Sequence, residues 1–171
     1  MLDCALMNLL IIRHGKAEER KGVLALKRDA ARRLTKEGRK ETRKAAKGLR
    51  EIAPTIDVLA SSPLVRARET ADIVADVMGI DEVAEEKLLS PGSDKNALIA
   101  WLRGYAPDAT VAIVGHEPDL STFAASAIGA KEGVIELKKS ACCLIEFKNT
   151  PAAGDGTLLW LLQPGQLRKL D

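Results

Sequence analysis

At residues 9–15 the chain reads Leu-Leu-Ile-Ile-Arg-His-Gly. Consecutive aliphatic residues that stop at a polar step and a glycine are typical of a strand that is buried on both faces of a sheet and then opens into a loop. A second such stretch, Thr110–Val114, is rich in β-branched residues and runs into Gly115. Open α/β sheets bind ligands in the loops at the carboxyl ends of their strands. We therefore expect the only two histidines of the chain, His14 and His116, to lie in one crevice.

The rest of the chain alternates between helical and extended patterns. Helices are predicted from the N-cap Thr35 with an inward stripe running to Ile52, from Ser62-Pro63 to Gly79, over Asp94–Arg103 and from Leu120 to Ile128. Further strands are predicted at Val58–Ala60, Glu82–Ala84, Val134–Leu137, Ala141–Phe147 and Thr157–Leu162. This order predicts an α/β fold with a mostly parallel sheet, helices on both faces and partly antiparallel C-terminal strands.

The length of the chain sets its domain organisation. A chain of 171 residues corresponds to one domain, so residues 1–171 are expected to fold as a unit. Residues 1–6 precede Met7, a second candidate start, and are expected to be an N-terminal extension.

Composition excludes several classes of protein. With 46% hydrophobic and 29% charged residues, the chain resembles an ordinary globular protein rather than a collagen-like, disordered or disulfide-rich one. Aromatic residues make up only 3%, too few for a base-stacking platform, so nucleic-acid binding is not expected. No apolar run approaches the roughly 20 residues of a membrane helix, and the three cysteines form no CxxC pair. We expect a cytoplasmic protein with reduced thiols and no membrane contact.

The net charge of +2 hides a basic segment. Between Lys27 and Arg50 there are eleven Lys and Arg residues against three acids. A charged helix face of this kind is most often simply solvated, and the functional alternative is a docking surface for an acidic protein partner or for nucleic acid.

Four side chains form a candidate phosphate site. Arg13 precedes His14, and Arg66 falls in the first turn of the helix predicted from Ser62-Pro63, so we expect both arginines to converge on the two imidazoles. A neutral imidazole is a good nucleophile toward phosphorus, and arginine forks match phosphoryl oxygens. The other nitrogen of the His14 ring would then donate to an acceptor, for which we expect a backbone carbonyl. For Arg66 the competing interpretation is a surface ion pair with Glu69.

With these residues in place, the sequence resembles the histidine phosphatase (phosphoglycerate mutase-like) superfamily, and within it the short SixA-type phosphohistidine phosphatases. The similarity runs from about residue 8 to residue 164 and rests on four ordered blocks. They are Leu10 to Ala17 around Arg-His-Gly, Arg32 with Leu34-Thr35 and Gly38, Ser61-Ser62-Pro63 with Arg66-Ala67 and Thr70-Ala71, and Val114-Gly115-His116 with Pro118.

The resemblance implies a role for each site residue. His14 would be the phosphorylated nucleophile, and Arg13, Arg66 and His116 would bind the phosphoryl oxygens, with no metal and no cofactor. The partner would be a phosphohistidine-bearing protein, such as an acidic phosphorelay domain, docking near the basic segment 27–50. Two positions depart from the family pattern, because Arg33 replaces a usual proline and Glu117 a usual asparagine.

A third departure bears on the substrate. The larger members carry an acidic proton donor after the third strand, whereas residues 87–92 of this chain contain Ser90 and no carboxylate. A phosphoester that leaves as an alkoxide benefits from a general acid, but phosphohistidine leaves as imidazole. We therefore expect a phosphohistidine substrate, with a small-molecule phosphomonoesterase or a non-catalytic phosphate-binding module as alternatives. Glu18, Asp29 and Glu117 remain candidate proton donors, although a charge at a helix N-terminus is the simpler interpretation of Glu117.

Overall fold

The computed structural model describes residues 6–19 and 29–171. Within them six strands form one mixed sheet: β1 (Met7–Arg13), β2 (Val58–Ser61), β3 (Ala84–Glu85), β4 (Thr110–Gly115), β5 (Cys142–Phe147) and β6 (Gly156–Leu162). Five α-helices accompany them: α1 (Lys36–Arg50), α2 (Val65–Met78), α3 (Lys95–Leu102), α4 (Asp119–Ala127) and α5 (Pro164–Leu167). The expected N-terminal extension, residues 1–6, lies outside the described residues apart from Leu6.

The strands lie in the order β3-β2-β4-β1-β5-β6. The first four in this order are parallel to one another, whereas β5 runs antiparallel to β1, and β6 antiparallel to β5. The predicted fold class, a mostly parallel sheet with antiparallel C-terminal strands, is confirmed. No helix in the described part of the chain is long and apolar enough to cross a membrane.

Two apolar layers cover the faces of the sheet, as predicted. One contains Leu98 and Leu102 of α3 and Phe123 of α4, and the other contains Leu49 of α1 and Val74 of α2. The side chains of β5 show why both faces must be covered. Adjacent strand residues point to opposite faces, so Cys143 packs in the first layer and Cys142 in the second.

Helix α1 follows its prediction at the N-terminus but not at the C-terminus. The Thr35 hydroxyl accepts from the Gly38 N–H at 2.9 Å, as an N-cap should. Gly38, Thr42, Ala45 and Leu49 form the buried stripe. Ile52, however, lies beyond the helix and is 37% exposed, so its assignment to the stripe is wrong.

The predicted start of α2 at Ser62-Pro63 is also wrong. The helix begins at Val65, and its N-cap, Leu64, makes no side-chain capping bond. The Ser62 hydroxyl does accept the Leu64 N–H at 3.3 Å, but it also lies 2.8 Å from a ring nitrogen of His116. Ser62 therefore contacts His116, which is distant in the sequence, and is not the N-cap of α2. The end of α2 is as predicted, because Gly79 adopts a left-handed conformation at φ 71°.

The strand predicted at Val134–Leu137 is absent, because side chains bind the backbone groups that a ladder would use. Arg13 donates to the Leu137 carbonyl at 2.6 Å. The Gln163 side chain bonds both the Glu136 carbonyl and the Lys138 N–H. The predicted strand at Glu82–Ala84 is displaced to Ala84–Glu85, and α5 was not predicted at all.

Candidate active site

The two histidines lie together because the strands that carry them are parallel neighbours. Arg13 at the end of β1 pairs with Gly115 at the end of β4. The residue that follows each strand is a histidine, and the His14 N–H donates to the Gly115 carbonyl at 3.1 Å. The ring centroids of His14 and His116 are 5.1 Å apart at an interplanar angle of 53°. The expectation that both imidazoles share one crevice is confirmed.

Hydrogen bonds define which nitrogen of His14 carries its proton. Nδ1 lies 2.7 Å from the Gly15 carbonyl, which can only accept, so Nδ1 carries the hydrogen. Nε2 accepts from Arg66 Nε at 3.3 Å and therefore presents a lone pair. The predicted backbone-carbonyl partner of His14 is present.

The surroundings keep this ring uncharged. His14 is only 7% exposed, and burial is the main cause that lowers its pKa from 6.5 to about 4. The charges of Arg66, Arg13 and Lys139 lower the pKa further, against the opposing effect of the Gly15 carbonyl. His14 is thus a neutral imidazole at physiological pH.

Arg66 enters the site from the first turn of α2 and is 2% exposed. Its Nη1 donates to the Asp29 carbonyl at 2.8 Å, and its Nη2 contacts Asp29 Oδ2 at 3.2 Å. The other oxygen of Asp29 accepts from Arg32 Nε at 2.9 Å. Asp29 therefore bridges two guanidinium groups. Because Glu69 bonds Arg33 and Arg39, the alternative ion pair between Arg66 and Glu69 does not form.

His116 and Arg13 each have one buried side-chain nitrogen that makes no hydrogen bond within the described part of the chain. His116 Nε2 lies 2.8 Å from Ser62 Oγ, while its Nδ1 is buried and makes no hydrogen bond to the described residues. Arg13 Nε is also buried and makes no hydrogen bond to the described residues. Burial, followed by the charges of His14 and Arg66, lowers the pKa of His116 to about 3. Buried polar atoms normally have partners, so these two nitrogens point to an anion that binds between them.

The pocket around these groups is small and strongly cationic. It has a volume of roughly 200 Å³. The described residues that line it are Arg13, His14, Ala17, Arg32, Arg66, Pro91, His116, Glu117 and Lys139. Four of these carry a positive charge and one carries a carboxylate. A dianionic phosphoryl group suits both the size and the charge of this space.

Comparisons with known proteins identify the family of this chain. Residues 9–90 match the model of the histidine phosphatase superfamily (branch 1). An uncharacterised protein of Picosynechococcus sp. is 35% identical over 137 residues, which cover 78% of this chain and 81% of that protein. The chain belongs to the histidine phosphatase superfamily.

Within the superfamily the chain is similar to SixA. The phosphohistidine phosphatase SixA of Escherichia coli K12 is 27% identical over 165 residues, covering 95% of this chain and 97% of that protein. The structure of the protein histidine phosphatase SixA with tungstate superposes with a TM-score of 0.81 at 25% identity, covering 94% of this chain and 99% of that one. The predicted resemblance is confirmed, and it supports phosphatase activity.

The three candidate proton donors occupy different places in the structure. Glu117 alone among them lines the described pocket, and its carboxylate accepts from the Ser121 N–H of α4 at 3.0 Å. It is therefore the predicted charge at a helix N-terminus. Asp29 bridges Arg66 and Arg32, which suits an anchor better than a proton source. Glu18 accepts from the Arg33 N–H at 3.4 Å, outside the pocket lining.

Sequence reasoning missed several residues of the site. Arg32 was part of the family pattern but had no assigned role, although it lines the pocket. Thr70 Oγ1 accepts from the Gly15 N–H at 3.0 Å and donates to the Arg66 carbonyl at 2.7 Å, so it ties the histidine loop to α2. Glu69 accepts from the Leu34 N–H at 2.8 Å and secures the segment that carries Arg32. The family blocks contained a signal for Arg32 and Thr70, but none pointed to Lys139.

Proposed function

We propose that the protein removes phosphoryl groups from histidine side chains of another protein through a phospho-His14 intermediate. The observation that carries this proposal is the state of His14, a neutral imidazole whose Nε2 carries no proton and accepts a hydrogen bond from Arg66 Nε. Such a nitrogen is a nucleophile for phosphorus.

The chemistry proceeds in two displacements. His14 Nε2 attacks phosphorus, the P–N bond to the substrate histidine breaks, and its electron pair leaves on the substrate imidazole, which gains a proton from water. Water then attacks phospho-His14, releasing inorganic phosphate and restoring the neutral ring. Arg13, Arg66 and His116 bind the phosphoryl oxygens and stabilise their charge in both transition states. Neither step uses a metal ion or a cofactor.

The proton donors available in the site favour phosphohistidine over a phosphoester. An alkoxide leaving group needs a general acid, typically worth about 10²- to 10⁴-fold in rate. Residues 87–92 contain no carboxylate, and the Glu117 carboxylate is bound to the N-terminus of α4. An imidazole leaving group does not depend on such a donor.

The basic segment would orient the protein partner. Arg39 and Arg43 are paired with Glu69 and Asp76 of α2, so much of the charge predicted for this face is neutralised. A row remains at Lys36, Lys40 and Lys44, which are exposed and make no ion pair with described residues. We propose that this row docks an acidic phosphohistidine-bearing protein, such as a phosphorelay domain, in the cytoplasm, where the buried thiols would stay reduced.

A labelling experiment tests the proposal. The enzyme is mixed with a phosphohistidine protein, quenched, and assayed for acid-labile phosphate on the enzyme, while kcat/KM is compared with that for p-nitrophenyl phosphate. We expect wild type to be labelled and to prefer the protein substrate, and His14→Ala to lose both labelling and turnover. His116→Asn, which retains the nucleophile, should be labelled more slowly.

Two results would contradict this function. A higher kcat/KM for the ester would make the protein a small-molecule phosphomonoesterase. Tight phosphate binding without turnover of either substrate would make it a binding module.

A further inference from the structure

Lys139 stands apart from the other cations of the pocket. Arg66 and Arg32 share Asp29, and Arg13 donates to the Leu137 carbonyl. Lys139 also lines the pocket, yet its side chain is exposed and its ammonium bonds no described residue. Lys139 is therefore the pocket cation whose donors are all available to a substrate.

The backbone beside Lys139 is fixed although its side chain is not. Ser140 adopts a left-handed conformation at φ 64°, which a non-glycine residue keeps only when its surroundings impose it. Its N–H lies 3.1 Å from the Arg13 carbonyl and 3.3 Å from the His14 carbonyl. Its hydroxyl lies 2.9 Å from Thr42 Oγ1 of α1. The point from which the Lys139 side chain extends is thus held against the nucleophile loop.

The depth of the pocket groups shows which part of a substrate Lys139 would meet. His14, Arg66 and His116 are buried at the floor, whereas Lys139 and Pro91 are exposed at the rim. In an in-line displacement the leaving group departs on the side opposite the nucleophile. With His14 at the floor, the group that carries the phosphoryl must therefore lie toward the rim, beside Lys139.

We propose that Lys139 is a specificity-determining residue that binds a carboxylate next to the phosphohistidine of the substrate. The phosphoryl oxygens already have buried donors in Arg13 Nε, Arg66 and His116 Nδ1. Among the described residues that line the pocket, one carries an opposing charge, Glu117, whose carboxylate is held by the Ser121 N–H. This inference rests on the proposed function and adds a preference for acidic surroundings of the phosphohistidine.

Two phosphohistidine peptides test this preference. They differ only in carrying Asp or Asn beside the phosphohistidine, and the measured quantity is the ratio of their kcat/KM values. For wild type we expect a ratio of about two to five, the range of an exposed ion pair, falling toward one in 0.5 M NaCl. Lys139→Gln should bring the ratio close to one. Lys138→Gln changes the neighbouring exposed lysine, which does not line the pocket, and should keep the wild-type ratio.

The outcomes separate this inference from the function beneath it. If wild type hydrolyses neither peptide, the proposed function fails. If wild type hydrolyses both peptides equally well, the function stands and the role of Lys139 is wrong. If Lys139→Gln slows both peptides by the same factor, Lys139 binds the phosphoryl group itself and the proposed preference is overturned.

Discussion

At the residue scale, the chemistry depends on two neutral imidazoles that present different groups to the pocket. His14 presents an unprotonated nitrogen, and His116 presents an N–H donor. His14 keeps its hydrogen on Nδ1 because Gly15 accepts it, which leaves Nε2 as a nucleophile. For His116, Ser62 Oγ accepts the Leu64 N–H, so the hydroxyl hydrogen is available to His116 Nε2. His116 would then carry its own hydrogen on the buried Nδ1. A neutral N–H donor beside a neutral nucleophile is a consistent arrangement for binding a phosphoryl oxygen.

Replacing Ser62 tests this assignment. In Ser62→Ala we expect His116 to populate both tautomers and kcat/KM to fall about three- to tenfold, the equivalent of one hydrogen bond. The imidazole ¹⁵N chemical shifts report the tautomer directly. Ser61→Ala is the control, because Ser61 Oγ donates to the Ser62 carbonyl and makes no hydrogen bond to His116. An unchanged His116 spectrum in Ser62→Ala would show that the serine does not determine the tautomer.

At the element scale, α1 is held by two close backbone approaches. A Cβ on Gly38 would clash with the Lys16 carbonyl, and a Cβ on Gly48 would clash with the Leu167 carbonyl of α5. Glycine is required at both positions because backbone, which cannot turn away, occupies the space. The first approach joins α1 to the loop that carries His14, and the second joins it to the C-terminal helix.

The two glycines should differ in their effect on activity. We expect Gly38→Ala and Gly48→Ala each to lower the free energy of unfolding by about 1–3 kcal/mol, because the chain must shift to admit a methyl group. Only Gly38→Ala should also lower kcat/KM, since Lys16 is two residues from His14. Urea denaturation and assays below the unfolding transition separate the two effects. An equal loss of activity in both variants would indicate a general loosening of α1.

At the scale of the whole molecule, folding buries two uncharged histidines. Burial lowers the pKa of His14 to about 4 and that of His116 to about 3, below the ordinary value of 6.5. The unfolded chain therefore binds more protons than the folded protein once the pH falls below about 6.5. The free energy of unfolding is therefore at its full value above pH 6.5. It decreases as the pH falls from 6.5 toward the folded-state pKa values of about 4 for His14 and about 3 for His116.

This linkage predicts a pH-dependent stability. Between pH 6.5 and 5.0, each histidine should lower the free energy of unfolding by about 1–2 kcal/mol in phosphate-free buffer. Denaturant titrations across this range provide the measurement. A variant with both His14→Asn and His116→Asn should have a flatter profile, because this range lies above the ordinary pKa values of Asp and Glu. A double variant as steep as wild type would assign the dependence to other groups.

Local patterns were enough to predict the elements whose signals are local. The aliphatic run before Arg13 predicted a buried strand, Thr35 predicted a helix cap, and Gly79 predicted a helix end. Each depends on residues within a few positions of one another, so no knowledge of the rest of the chain was needed. The errors at Val134–Leu137 and Ser62-Pro63 have the opposite cause. There, side chains from distant segments bind the groups that the local pattern assigned to a strand and a cap.

The sequence by itself determined the family, the mixed sheet and the parallel strand ends that bring His14 and His116 together. Only the tertiary structure decided the placement of Asp29 between two arginines and of Lys139 at the rim. Lys139 is 125 residues from His14 along the chain, and its position depends on the turn before β5. The physical reason is that a charge acts through space, so its effect on a site depends on packing that no local pattern records.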